Sequence, residues 1–440
     1  MKKRAFHFLT ALALLATCLF QLAACGVERT ALTQKETANA HSAEPETAFP
    51  HSENGAKDLL SGVKAAPVQA LPDLAPGGEK AADFALKLFR AVQKDGKNSL
   101  VSPLSVLSAL AMTANGANGE TKSQMEEVFG MKTEEWNPFL YSLRKALAPE
   151  EKAALSLADS VWFTNDARFS VKGDFLQTLA DFYDAGAYQT PFDESTRNDM
   201  NAWVNENTRG MIPEILDEVP HDAVMYLVNA LAFEAEWQKP YTEDQVRDGY
   251  FTTASGEDQK TEMMYDSVNE YLETEKATGF LRRYAGKYAF AALLPKENAP
   301  LSELIASLSG TDLAALFAAP SRVEVRTSMP KFEVKDQMDL GKTLAELGMP
   351  RAFDPAGADF SALGTYENRN IYIGRVLHKT FLSVAEQGTR AGAATVVEMT
   401  KNAAVPITQP KEVYLDRPFL YFLIDTETNA PFMIGTLENL

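Results

Sequence analysis

Near the C-terminus, one unusually long connection separates two segments that are both typical of β-strands. The flanking segments, Ile371 to Val384 and Val413 to Ile424, are strongly apolar. Compact domains usually join such elements through about 4 to 6 residues, but here the stretch 386–405 reads EQGTRAGAATVVEMTKNAAV. Because connections of this length are usually functional or disordered, this stretch is the first place to look for a function.

A repeat of two residues divides this stretch into two faces. One face is small to medium in size and nearly uncharged, and it carries Thr389, Ala391, Ala393, Thr395, Val397 and Met399. The other face carries the charged residues Arg390 and Glu398. Such a segment could slide between two existing strands, and Gly388 supplies a flexible joint just before it. Composition alone equally allows a mobile Ala/Gly linker.

A resemblance to a known family favours the first of these two interpretations. The tetrapeptide EQGT (386–389), followed by the Ala-rich run to Thr395, resembles the hinge of the serpins, a family of suicide inhibitors of serine and cysteine proteases. Two later motifs, DRPFL (416–420) and FMIG (432–435), resemble C-terminal strand motifs of the same family. The resemblance implies an α+β fold: a single large domain with a mostly antiparallel main sheet, further sheets, about eight or nine helices and an exposed reactive-centre loop.

Further motifs of the same family occur in order along the chain. They are NSLVSPLS (98–105), SLADSVWF (156–163), NAWV (201–204), LLP (293–295), MPKF (329–332) and DFS (359–361). Asp159 stands where the family usually has Asn. We find no internal repeat and no interdomain linker between Glu79 and Leu440, so residues 79–440 are predicted to form one serpin domain.

The N-terminus predicts export and anchoring. Residues 1–24 have a basic start and a short apolar core, which is typical of a signal peptide. They end in LAACG (22–26), which resembles the bacterial lipobox and implies lipidation of Cys25, although ordinary cleavage nearby is the alternative. Residues 25–78 are poor in aromatics and are predicted to form a disordered stalk. We expect a protein anchored to the bacterial cell envelope or surface through this lipid alone.

Charge and cysteine content exclude several classes of function. The only cysteines are Cys18 and Cys25, so the mature domain has no disulfide, catalytic thiol or thiolate metal site. The net charge of −18 argues against nucleic acid as a partner and against heparin-type activation, and its simplest meaning is solubility outside the cell. We expect no metal and no cofactor, and a monomer.

The histidines leave little room for hydrolytic catalysis. Of five, His7 precedes the mature chain and two lie in the predicted stalk, which leaves His221 and His378. No nucleophile elbow, HExxH motif or phosphate-binding loop is present. A triad through His378 is possible in principle because triads assemble in space. A single histidine in an apolar strand is more often a hydrogen-bonded core residue, so we predict that the protein is not an enzyme.

The resemblance assigns roles to residues outside the long connection. Ser102, Ser105, Asn229 and His378 match a buried polar cluster, the shutter, at the point where the main sheet parts. Trp237, Lys331 and Glu386 match the breach, where insertion begins. The hinge is Glu386, Gly388, Thr389, Ala391, Ala393 and Thr395.

The resemblance also implies the inhibitory mechanism. A target protease, most simply of the serine type, although the cysteine type also fits, cleaves near Asn402–Ala403 and forms an acyl-enzyme. Residues 389–401 then insert into the main sheet. The family's spacing leaves Lys401–Asn402 and Ala403–Ala404 as alternative bonds; Lys401 suits a trypsin-like pocket, whereas Ala403 suits an elastase- or subtilisin-like one. A non-inhibitory serpin, of binding or chaperone type, is the main alternative.

Overall fold

The computed structural model describes residues 55–147, 151–219, 224–297, 299–389 and 409–440. Within these ranges the chain forms nine α-helices and two short 3₁₀ helices, Glu243–Gln245 and Pro350–Phe353. The α-helices are α1 (Ala75–Val92), α2 (Pro103–Ala114), α3 (Gly119–Phe129), α4 (Thr133–Ala146), α5 (Gly173–Phe182), α6 (Glu194–Asn207), α7 (Leu301–Ser307), α8 (Gly310–Ala318) and α9 (Gly341–Glu346).

Nineteen strands alternate with these helices in the described residues. They are β1 (Lys57–Asp58), β2 (Ser99–Val101), β3 (Ala153–Thr164), β4 (Phe169–Val171), β5 (Gly186–Thr190), β6 (Met225–Glu236), β7 (Val246–Thr252), β8 (Asp258–Val268), β9 (Tyr271–Glu273), β10 (Ala277–Arg283), β11 (Tyr288–Pro295), β12 (Val325–Pro330), β13 (Phe332–Asp339), β14 (Gly364–Tyr366), β15 (Arg375–Ala385), β16 (Gly388–Thr389), β17 (Lys411–Tyr414), β18 (Phe419–Asp425) and β19 (Pro431–Leu437).

The main sheet has seven strands in the order β1-β5-β3-β6-β16-β15-β13. Its pairings are antiparallel except for β3 with β5 and β6 with β15. Strand β6 is apolar almost throughout and nearly all of its residues are buried, as expected for a central strand covered on both faces. Strand β16 lies in the seam between β6 and β15, which pair directly with each other farther along.

Three further sheets complete the fold. They have the orders β2-β19-β18-β11-β10-β9, β17-β12-β8-β7 and β14-β4. Helix α2 lies between the main sheet and the first of these: it begins after the N-cap Ser102 with Pro103 at its first position, and all its residues are buried. Because it is buried on every side, α2 contacts β3 and β6 of the main sheet as well as β19 of the second sheet.

The fold class predicted from the sequence is confirmed: one domain of mixed α and β structure with a mostly antiparallel main sheet, further sheets and nine helices in the described residues. Within those same residues, no single helix has both the length and the apolar character that a membrane span requires. By those two measures alone, the bent pair Leu301–Ser307 and Gly310–Ala318 would qualify.

The predicted stalk is wrong for residues 55–78. Strand β1 pairs with Tyr188 and Gln189 at the edge of the main sheet, and the Leu71 amide donates to Ser142 Oγ (2.8 Å). Helix α1 begins at Ala75, four residues before the predicted boundary. The composition of this segment did not predict its ordered structure, because the segment is held by backbone hydrogen bonds and these do not depend on the number of apolar side chains. The remainder of the predicted stalk, 25–54, lies outside the described residues.

Candidate functional site

The seam between β6 and β15 is already parted at one end by the first residues of the long connection. Strand β15 ends at Ala385, and after a two-residue turn the chain returns as β16, which pairs antiparallel with both neighbours. Thr389 lies opposite Val384 on β15 and Ala235 on β6. The two hinge residues Gly388 and Thr389 thus already form an inner strand of the main sheet.

Gly388 is required by the geometry of this return. Its φ is +148°, and a Cβ at this position would lie 2.0 Å from the carbonyl oxygen of Ala235. No side chain fits between the hinge backbone and β6. Substitution of Gly388 would therefore push β16 out of the seam.

Thr389 forms a hydrogen bond to one of two stacked aromatic residues. Its side chain is buried, and Oγ1 lies 2.6 Å from the Tyr284 hydroxyl, which burial keeps protonated by raising its pKa. The Tyr284 ring stacks on Trp237 at a centroid distance of 4.1 Å. Trp237 in turn binds the turn itself, donating its indole N–H to the Ala385 carbonyl and its backbone N–H to the Gln387 carbonyl, both at 2.8 Å.

An ion pair closes the outer side of the turn. Lys331 bonds Glu386 and also lies 2.9 Å from Glu262. Burial is the largest single influence on Glu386 and opposes its ionisation, but the hydrogen bond from Lys331, a backbone hydrogen bond and the charge of Lys331 together outweigh it and lower the pKa of this carboxyl. Both side chains remain partly exposed, at 25% for Lys331 and 33% for Glu386, so solvent screens the pair.

The middle of the main sheet carries a row of three buried polar side chains. His378 on β15 lies directly opposite Asn229 on β6, and Asn229 lies directly opposite Asp159 on β3. We call these three residues the polar row. Beneath them, α2 and its N-cap present serines at intervals of three residues, Ser102, Ser105 and Ser108.

The hydrogen bonds of His378 determine its tautomer. The Ser102 backbone N–H donates to Nε2 (3.1 Å), so Nδ1 carries the ring proton and donates to Asn229 Oδ1 (2.6 Å). Ser105 Oγ donates to the same Asn229 oxygen (3.1 Å). Burial lowers the pKa of His378 to about 3, so the ring is neutral at pH 7.

Asp159 forms the charged end of the row. Its Oδ2 lies 2.6 Å from Nη2 of Arg144 on α4, which also donates to Ser108 Oγ (3.3 Å), while Nη1 donates to the Leu157 carbonyl (2.9 Å). Burial raises the pKa of Asp159 to about 6, against the lowering effects of Arg144 and Ser108. The sequence showed Asp159 as a departure from the family pattern but gave no sign of its partner, Arg144.

This geometry does not support a hydrolytic triad at His378. Ser102 Oγ donates to the Phe432 carbonyl (2.9 Å), and the histidine accepts from the Ser102 backbone rather than from its hydroxyl. Its other nitrogen faces an amide, not a carboxylate. Among the described residues, no group of three or more His, Cys, Asp or Glu side chains is arranged to hold a metal ion.

The structure places the four predicted shutter residues in one hydrogen-bonded cluster in the middle of the seam. It places the three predicted breach residues around the start of the hinge at the end of the seam. Several other predicted residues lie outside the described ranges: Cys25, His221, Ala391, Ala393, Thr395, Lys401, Asn402, Ala403 and Ala404. The reactive bond and the lipidation site therefore remain predictions.

Comparison with known proteins places this geometry in a family. A family model described as Serpin (serine protease inhibitor) matches residues 79–440. The crystal structure of a thermophilic serpin, tengpin, in the native state has a TM-score of 0.83 at 43% identity, covering 88% of this chain and 100% of that chain. The latent state of tengpin has a TM-score of 0.74 at 42% identity, covering 86% and 100%. Plasminogen activator inhibitor 1 of Bos taurus is 30% identical over 373 residues, covering 81% of this chain and 90% of that protein.

Proposed function

The chain belongs to the serpin family, whose members are generally protease inhibitors rather than enzymes, and on that premise we propose that it is a suicide-type inhibitor. The observation that carries the proposal is β16. A hinge that already occupies the seam between β6 and β15 needs only to extend the same pairing to become a complete inner strand. Among the described residues, no other segment of the chain lies between β6 and β15.

The reaction begins as ordinary proteolysis. The protease nucleophile adds to the Asn402 carbonyl, the Asn402–Ala403 peptide bond breaks, and the new amine at Ala403 takes the proton. Asn402 is left as an ester, or a thioester with a cysteine protease. Water would normally hydrolyse this acyl-enzyme, but residues 389–401 enter the main sheet first and carry the attached protease with them.

Hydrogen bonding supplies the driving force for insertion. An inner strand of about a dozen residues gains main-chain bonds on both sides, each worth about 0.5 to 1.5 kcal/mol net, or roughly 10 to 20 kcal/mol in all. Loop insertion of this type releases stored strain. Tengpin, at 43% identity, has been solved in a native and a latent state, and this chain is more similar to the native one.

The direct test mixes the purified protein with trypsin, elastase and subtilisin in turn. We expect at least one protease to give a denaturant-stable band at the summed mass. Mass spectrometry of the released C-terminal peptide then identifies the bond, with a new N-terminus at Ala403 expected and Asn402 or Ala404 as alternatives. A chain that is cut by all three proteases, forms no complex with any and melts no higher after cutting would be a non-inhibitory serpin.

We further propose that Cys25 anchors the protein to the cell envelope. The support is the sequence LAACG after an apolar signal core. Metabolic labelling with a fatty acid should mark the wild type but not Cys25→Ser, and labelling of both would place the lipid elsewhere.

A further inference from the structure

Two complementary atoms in the polar row have no partner in the present arrangement. Asn229 uses its carbonyl oxygen for His378 and Ser105, and its Nδ2 group is buried without a hydrogen bond among the described residues. Asp159 uses Oδ2 for Arg144, and its Oδ1 is likewise buried without a hydrogen bond in the same ranges. One is a donor, the other is an acceptor, and their residues are directly opposed on β6 and β3.

Neither unpaired atom can be explained by exchanging the amide atoms of Asn229. The Ser102 backbone N–H must donate to His378 Nε2, so His378 Nδ1 must donate, and Asn229 must turn its oxygen toward it. The Asn229 N–H₂ group therefore points elsewhere. A buried donor left unpaired costs about 1 to 3 kcal/mol, and so does an unpaired acceptor.

We propose that Asp159 is a positioning residue for strand insertion: it accepts the side-chain amide of Asn229 when β15 separates from β6. The inference rests on the proposed function, because insertion is what separates these strands. His378 leaves with β15 and releases Asn229. The eleven residue pairs between β3 and β6 lie on the other edge of β6, so Asp159 stays opposite Asn229 throughout.

Arg144 determines which oxygen of Asp159 is available to accept the amide of Asn229. Its guanidinium bonds Oδ2 of Asp159 and the Leu157 carbonyl of the same strand, which orients the carboxylate and leaves Oδ1 for Asn229. These contacts involve α4 and β3 only, so they persist whether or not a strand has entered. Ser108 Oγ on α2 accepts from Arg144 (3.3 Å), and the same hydroxyl interacts with the Asp159 carboxylate and lowers its pKa. The new bond forms only in the open sheet and lowers the free energy of that state selectively.

The decisive variant is Asp159→Asn. Arg144 still requires an oxygen at the Oδ2 position, so the new amide must turn its N–H₂ group toward that of Asn229, and two donors then face each other. The double variant Asp159→Asn with Arg144→Gln removes this constraint. The glutamine can accept from the new amide, which frees an oxygen for Asn229, so we expect rescue.

The readout is sheet opening without any protease. A synthetic peptide with the sequence of residues 389–401 is incubated with the intact protein, and complex formation is followed over time on a native gel. If the open fraction limits annealing, loss of one charge-assisted hydrogen bond in the open state should slow annealing by about tenfold or more. The double variant should recover most of the wild-type rate.

Asp425→Asn is the matched control. Asp425 is also a buried aspartate with one unpaired oxygen among the described residues, but it lies on β18, in a different sheet from the seam. Its substitution should leave annealing within about twofold of the wild type, which is a small effect on the scale of one hydrogen bond. Equal slowing in both single variants, or no slowing in Asp159→Asn, would overturn the proposal.

A second measurement separates this inference from the proposed function. Each protein is nicked in the loop, and the rise in melting temperature over the intact form is recorded. A smaller rise in Asp159→Asn than in the wild type supports the exchange. Equal rises in both mean that Asp159 is merely structural, because a structural defect lowers the intact and nicked forms alike. No rise in the wild type itself would instead remove the inhibitor proposal.

Discussion

The two ends of the seam between β6 and β15 differ in what holds the strands apart or together. At the breach, the strands are already separated by Gly388 and Thr389, and the stacked residues Trp237 and Tyr284 hydrogen-bond to the hinge and the turn before it. In the middle, β6 and β15 pair directly and are closed by the polar row. If the proposed insertion occurs, the breach would determine which hinge can begin to enter, and the middle would have to exchange buried hydrogen bonds before entry could continue.

The largest effect is expected from a charge in the breach. In Thr389→Arg, a long cation replaces a buried threonine that contacts the Tyr284 hydroxyl, and no acidic partner is available there among the described contacts. Because an unpaired buried charge costs several kcal/mol, β16 should leave the seam. We expect cleavage by the target protease at the wild-type rate but trapping reduced by about a hundredfold or more.

The control for this variant is Thr389→Ser, which keeps the hydroxyl bond to Tyr284. It should trap within a few-fold of the wild type in the same gel assay. Wild-type trapping by Thr389→Arg would mean that the hinge does not enter where β16 lies.

The next largest effect is that of pH on stability. Acid should weaken the contribution of His378 and strengthen that of Asp159, which lie at the two ends of the polar row. The pKa of His378 is lowered to about 3 from an ordinary value near 6.5, so its contribution to stability is present above pH 6.5 and is lost as the pH falls toward 3. The pKa of Asp159 is raised to about 6 from 3.8, so its contribution is present below pH 3.8 and is lost as the pH rises through 6.

In Asp159→Asn, the free energy of unfolding should therefore fall more steeply with acid than in the wild type. Between pH 6 and 4 the two slopes in the wild type oppose each other, each at about 1.4 kcal/mol per pH unit at most. Without the aspartate, the fall in unfolding free energy over this range should be steeper, by about 3 kcal/mol in total. Urea unfolding at several pH values measures it, and parallel curves for the two proteins would show that Asp159 does not hold a proton in the folded state.

A smaller effect is expected at the hydroxyl of Tyr284. Tyr284→Phe keeps the ring stacked on Trp237 but removes the bond to Thr389, worth about 1 kcal/mol. The amides of Gly388 and Thr389 should then exchange with deuterium about fivefold faster. Tyr288→Phe removes the hydroxyl of another buried tyrosine, which lies 3.5 Å from the Leu147 carbonyl rather than at Thr389, and it should leave their exchange unchanged.

The breach and the middle also differ in how well the sequence predicted them. The hinge is a contiguous motif, so EQGT and the residues after it could be interpreted by themselves. The polar row depends on register: Asn229 and His378 are 149 positions apart, and only the pairing of β6 with β15 places them side by side. Family resemblance supplied that pair, but the Asp159–Arg144 contact joins a strand to a helix and has no signature in residue spacing.

The smallest effect is expected at the outer ion pair of the breach. Lys331→Met removes the partner of Glu386, but both side chains are partly exposed, so the loss should not exceed about 1 kcal/mol at low salt. Hinge exchange should rise by at most about fivefold, and in 1 M salt the variant should match the wild type, because a Debye length of about 3 Å screens the pair. The Tyr284→Phe effect involves no charge and should persist in that salt. If Lys331→Met kept its full effect in 1 M salt, charge attraction between Lys331 and Glu386 would not be what holds the outer side of the hinge.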